Sequence, residues 1–156
     1  MSKTKDLLNE LLVNLFNHIT NIENIALKQM GVKLSINEVH ILEAIKNTEI
    51  PTMTNVATRL LITVGTLTTS IDRLVTKGFV IRYQEESDRR KVLLRLTSRG
   101  EEIIKLHDVF HNEMIENAIK DFNINDDSQL LTTLENLANY FKDKYHERVS
   151  DLKNDR

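Results

Sequence analysis

The chain has 156 residues and a mass of 18.1 kDa, enough for one domain or one domain with helical extensions. Its 40% apolar and 28% charged residues exclude disorder and collagen-like repeats, and four Gly and one Pro argue against a turn-rich all-β architecture. A net charge of −2 carries no overall basic signature; the lack of Cys excludes disulfides, thiolate metal sites and a cysteine nucleophile; no apolar run reaches the roughly 20 residues of a membrane span or forms a signal-peptide core. A mostly helical, cytoplasmic protein is expected.

In chain order, residues 5–30 are predicted to form a long amphipathic helix. Leu8, Leu11, Leu12, Leu15, Ile19, Ile22 and Ala26 recur at three- and four-residue steps, and Gly31 is the stop. Ser35 and Glu38 have capping-box spacing, which starts a second helix running to about Asn47. Pro51 falls in a connector, and Thr52 or Thr54 starts a short helix through Leu61, with Val56, Ala57, Leu60 and Leu61 inward. A fourth helix follows Thr63 and ends near Gly78. Segments 79–84 and 91–97, rich in Val, Ile, Leu, Phe and Tyr, flank a polar turn at 85–90 and read as a β-hairpin. A fifth helix runs from Thr97 or Ser98 to about Asp121. A last one spans 127–148, followed by a polar tail expected to fray. This order predicts a winged helix-turn-helix: mainly α with a small β-hairpin wing. The expected organisation is an N-terminal dimerisation helix (1–34), a DNA-binding region (35–100), C-terminal dimerisation helices (101–148) and a tail (149–156), intertwined as one domain.

Charge segregates along the same map. Residues 53–100 carry nine basic and four acidic side chains, between flanks that are neutral to acidic. A local excess of +5 is the electrostatic footprint of a phosphate-binding module, although a solvated basic face produces the same count.

At 100° per residue, Val64, Leu67, Ile71, Leu74 and Val75 of the fourth helix share one arc and are expected in the core. Gly65, Thr66, Thr69, Arg73 and Thr76 lie opposite, Ser70 and Lys77 flank them, and Thr68 falls near the apolar arc as a packed residue. Hydroxyls and methyls on a short-side-chain face suit a DNA groove, and the N–H groups after Thr63 suit a phosphate oxygen. Gly65 costs helix stability, roughly 1 kcal/mol relative to Ala, which suggests a reason for its missing side chain. At the hairpin tip Asp88 is expected to orient Arg90 into a minor groove, with Arg89 and Lys91 on phosphates. The bland reading is a threonine-rich solvent face; a protein-interaction module is a further alternative, which exposed hydrophobes on this helix would favour.

The run Thr63-Val-Gly-Thr-Leu-Thr-Thr-Ser-Ile-Asp-Arg-Leu-Val-Thr-Lys-Gly78, with Asp88-Arg-Arg-Lys-Val-Leu-Leu-Arg-Leu-Thr97 after it, resembles the MarR family of bacterial transcription regulators. Within that family Val64–Ser70, Glu86-Ser-Asp-Arg-Arg90 and the placing of His40, His107 and His111 are most similar to the FabT branch, repressors of fatty-acid synthesis genes. The resemblance implies a homodimer on a pseudo-palindromic DNA operator, with long-chain acyl-acyl carrier protein as corepressor and its chain held between dimerisation helices and winged helix. Leucine and aromatic stripes on the three long helices, too extensive for the central module to bury, agree with a two-fold partner.

His107 and His111 fall inside the apolar arc that Ile103, Ile104, Phe110, Met114, Ile115 and Ala118 define on the fifth helix. An i, i+4 His pair is a competent metal half-site, which His40 and Glu23 could complete. The set resembles the site of the zinc-sensing AdcR branch, which also uses a cysteine that this chain lacks. The alternatives are hydrogen-bonded histidines lining a pocket or helix interface, and pH-sensitive contacts. His18 and His146 are expected at the surface. Phe16, Phe110 and Met114 read as core that doubles, with Ile19, His40, His107 and His111, as effector-pocket lining. No nucleophile elbow, phosphate-binding glycine loop or HExxH is present, so no enzyme and no cofactor is expected.

Overall fold

The structure, a computed structural model, describes residues 2–85, 88–121 and 127–154; for residues 85, 88–90 and 148–154 the description is of the backbone alone. Ser2 caps helix α1 (Lys3–Glu10) by accepting from the Lys5 N–H, and the helix continues through a π-helical stretch, Leu11–Leu15, into α2 (Phe16–Gln29). The single helix expected over 5–30 is therefore interrupted in phase. A π turn closes i→i+5 bonds and rotates the stripe that follows, and a search at 3.6-residue periodicity does not register it. Gly31 ends the run at φ +73°, with Val32 N–H on Leu27 C=O and Gly31 N–H on Lys28 C=O, a Schellman closure that favours a residue without Cβ.

Three capped helices make up the helix-turn-helix. In α3 (Ile36–Lys46) Ser35 Oγ accepts from Glu38 N–H while the Glu38 carboxylate accepts from Ser35 N–H. Thr52 caps α4 (Met53–Leu60), and Thr63 caps α5 (Val64–Thr76). The antiparallel hairpin of β1 (Val80–Glu85) and β2 (Asp88–Leu96) pairs Val80 with Leu96 and Tyr83 with Leu93, with an irregularity between Gln84 and Glu85. Pairing reaches back to Asp88, so the strands extend into the stretch expected to be a turn. The Pro51 connector also joins the sheet: Thr52 bridges Leu93, and Pro51 C=O accepts from Leu94 N–H. Helices α6 (Ser98–Ile119) and α7 (Ser128–Asn154) follow. The last helix continues past the expected end at 148, to Asn154.

The chain divides into two compact units, Met1–Phe110 and His111–Arg156. The core of the first is the winged helix. Leu42, Val39, Val56, Leu67, Ile71, Leu74, Val80, Leu94 and Ile104 are fully buried in it. Gly100 sits where a Cβ would come 2.5 Å from Phe79 O, so the start of α6 lies against the start of the hairpin only because the side chain is missing. Two expected core residues lie elsewhere. Val64 is 43% exposed, since the first turn of α5 projects beyond the packing face, and Phe16 is 66% exposed at the start of α2, before the part of that helix that buries Glu23 and Leu27. Among the described residues no helix is long and apolar enough to cross a membrane.

Candidate nucleic-acid interface

Helix α5 presents two opposed faces. Leu67, Ile71 and Leu74 are buried and Val75 is partly buried, while Gly65, Thr66, Thr69, Arg73 and Thr76 are exposed and Ser70 is half-buried. Thr68, expected to pack, is exposed instead, and its hydroxyl donates to Val64 C=O one turn back. Serine and threonine hydroxyls of a helix satisfy themselves in this way when no partner is near. Thr69 and Ser70 do so only at 3.5 and 3.4 Å, lengths that leave them easy to recruit to a better acceptor. A Cβ on Gly65 would approach nothing nearer than Thr63 Oγ1 at 3.9 Å. The chain's own packing gives no reason for glycine there, so the bare helix start is free for something outside the chain.

The cations around this face differ in what holds them. Lys77 at the end of α5 donates to Glu38 Oε1 at 2.6 Å, and Arg82 of β1 lies 2.5 Å from Asp72 Oδ1. Arg95 stacks on Tyr83 and Arg99 on Phe79, with Arg99 also donating to Lys77 C=O. Arg73 has no ion-pair partner among the described residues and stands at the centre of the exposed face. Burial pushes the Glu38 carboxyl up, but the Lys77 ammonium and the Ser35 N–H and O–H outweigh it and hold the group below the ordinary carboxylate value. Glu38 thus serves two elements, capping α3 and anchoring the last turn of α5. Sequence reasoning placed Lys77 at the edge of a DNA face and did not foresee either acid partner; a capping box shows Glu38's local bond but not the lysine 39 residues away.

At the wing, β2 begins at Asp88 and Lys91 is exposed. The side chains of Asp88, Arg89 and Arg90 lie outside the described residues, and with them the expected minor-groove contact.

A second cluster forms where α2, α3 and α6 meet in the first unit. Glu23, only 2% exposed, faces His107 (Oε1–Nε2 3.6 Å) and His40 (3.9 Å), and the two imidazoles stand edge-on with centroids 5.7 Å apart. One ligand atom from each of the three lies within 4.8 Å of the others. His111 follows one turn later on α6 and belongs to the second unit, as does Met114; both are half-buried, like Phe110 and Ile19. His40 also lines two cavities of about 370 and 350 Å³, the first against Arg59, Leu60 and Leu61 and the second against Ile41, Ile62, Thr66 and Ser70. His18 and His146 are exposed.

Residues 34–92 match the MarR family, the stretch from just before α3 into β2. Over 89% of this chain and 98% of the other, the fold superposes on Streptococcus pneumoniae FabT, solved in complex with DNA, at a TM-score of 0.78 and 34% identity. The chain belongs to the MarR family. It is also 28% identical to SarZ, an HTH-type transcriptional regulator of Staphylococcus epidermidis, over 70% of each chain, and 32% identical to the HTH-type regulator YkoM of Bacillus subtilis over 51% of each. The chain spans about half the length of the first curated relatives it matches. The matched relatives are described as transcriptional regulators.

Proposed function

We propose that this MarR-family protein is a homodimeric, sequence-specific repressor that binds a pseudo-palindromic DNA operator in the cytoplasm. The observation that carries the reading is the exposed face of α5, where small hydroxylated side chains surround Arg73, which has no ion-pair partner among the described residues, above the buried Leu67, Ile71 and Leu74. In this reading Thr66, Thr69, Ser70 and Arg73 enter the major groove, the amides after Thr63 and beside Gly65 take a phosphate, Asp88 aims Arg90 into the minor groove, and Arg89 and Lys91 touch phosphates. Lys77, held by Glu38, contributes its charge rather than a direct bond. Residues 35–100 act as the DNA-binding part, 1–34 and 101–148 as dimerisation helices. Leu7, Leu8, Leu11, Leu12, Leu15 and Phe16, all 40–66% exposed, supply the apolar face that a second copy covers.

The likeness to FabT extends the proposal to fatty-acid synthesis genes as targets and to long-chain acyl-acyl carrier protein as corepressor, its acyl chain running past Phe16, Ile19 and Phe110. Anisotropy titration of DNA from upstream of such genes, with and without hexadecanoyl-acyl carrier protein, tests both parts. Arg73→Ala is expected to weaken operator binding about 10- to 100-fold without changing the melting temperature. Unchanged affinity rejects the recognition face, and an acyl partner that leaves affinity unaltered rejects the corepressor.

A metal-responsive repressor is the second reading, favoured by the convergence of Glu23, His40 and His107. Donors around a tetrahedral zinc sit about 3.3 Å apart, and Glu23 lies 3.6 and 3.9 Å from the two imidazoles. With no thiolate the donors suit zinc, cobalt or nickel. Cobalt(II) titration followed by d–d absorption, lost in His107→Ala, supports it; a spectrum identical to free cobalt rejects it.

A further inference from the structure

We propose that Asp72 is a specificity-determining residue, which occupies Arg82 and so keeps that guanidinium off the DNA backbone while tying the hairpin to the recognition helix; the proposal rests on the DNA-binding reading above. Asp72 stands on the solvent side of α5, three residues after Thr69 and four before Thr76, with its side chain 60% exposed. An acid on a face offered to a polyanion is unfavourable unless something compensates it. The compensation comes from β1. Arg82 lies opposite Leu94, and Val80 and Leu94 on the same face of the hairpin are buried, so the arginine stem follows the packed face and its head emerges beside Asp72.

Stability does not account for the pair. Both groups are solvent-exposed, and ion pairs of that kind contribute little to folding. The corner between α5 and β1 is already closed by Phe79 N–H on Leu74 C=O, Gly78 N–H on Val75 C=O and the Thr97 hydroxyl on Gly78 C=O. What the pair changes is charge and register. Arginine is the side chain best suited to phosphate, and a free Arg82 would add a contact available on any sequence. In a non-specific complex the protein shifts along the duplex until such a contact is made. In the specific complex base contacts fix the register, and the helix and hairpin must keep a set separation. Asp72 therefore lowers the first affinity and protects the second.

The test uses the full chain and two duplexes, one of random sequence and one enriched by the unsubstituted protein from a randomised library, each titrated over a series of KCl concentrations. Asp72→Asn is expected to bind the random duplex ~3- to 10-fold more tightly, with a salt slope steeper by about 0.9, and to lose ~10-fold in the ratio of specific to random affinity. Adding Arg82→Gln to Asp72→Asn should return the slope to that of the unsubstituted protein. Unchanged random-duplex affinity and slope in Asp72→Asn overturn the proposal, as does weaker binding to both duplexes with a lowered melting temperature, the mark of a purely structural pair. If the unsubstituted chain binds neither duplex, the DNA-binding reading itself fails and takes this inference with it.

Discussion

The recognition helix α5 and the N-terminal helical run both carry an apolar stripe at helical spacing and have opposite fates. In the winged helix, Leu67, Ile71 and Leu74 of α5 meet Leu42, Val56 and Leu94, and all are sealed from solvent within one chain. Along Lys3–Leu15 no residue is buried, and Leu7, Leu8, Leu11, Leu12 and Leu15 stay 40–53% exposed. A stripe records that a helix has something to cover. It does not record whether the cover comes from the same chain, and the difference separates the part whose core is closed within one chain from the part proposed to join two copies.

Leu67→Ala should break the contrast from the closed side. Removing a fully buried leucine is expected to cost about 2–5 kcal/mol, at all protein concentrations, in urea unfolding followed by circular dichroism. Gly100→Ala comes next: its Cβ would press on Phe79 O and the side chain of Leu96, and a loss of about 1–3 kcal/mol is expected, read as a lower urea midpoint. On the open side, Leu11→Ser with Leu15→Ser should alter the unimolecular stability by no more than about 0.5 kcal/mol. It should instead raise the concentration at which dimers dissociate in sedimentation equilibrium. A stability loss equal to that of Leu67→Ala would mean that this run packs within its own subunit, and the comparison would fall. The smallest effect sharpens the link between the module's elements. Glu38 titrates below its ordinary value when folded, so its contribution is complete above the unfolded pKa and is lost as pH falls through the lowered folded one. Glu38→Gln should flatten the acid limb of the stability–pH profile in that window, and an unaltered limb would assign it to other carboxylates.

Local chemistry made much of this legible. Ser35 with Glu38, Thr63 with Thr66, Gly31 and Gly78 mark helix ends through bonds or dihedrals confined to a few neighbouring residues, and the elements begin or end there. The exposed face of α5 followed from its 100° step, except at its margins: Val64 and Thr68 are both exposed, because a wheel has no account of where packing along the axis stops. The π turn at Leu11–Leu15 escaped detection because a single wide turn alters phase without altering composition.

The sequence by itself determined the order of elements, the caps, the basic middle segment and the hydroxylated face of the recognition helix, since each is set by neighbours within a turn or two. Only the tertiary structure decided which cations are held and which stand ready. Lys77 meets Glu38 across 39 residues, and Arg82 meets Asp72 across a helix–strand corner. Those pairings depend on how elements dock through the core, and docking is a property of the assembled apolar faces together.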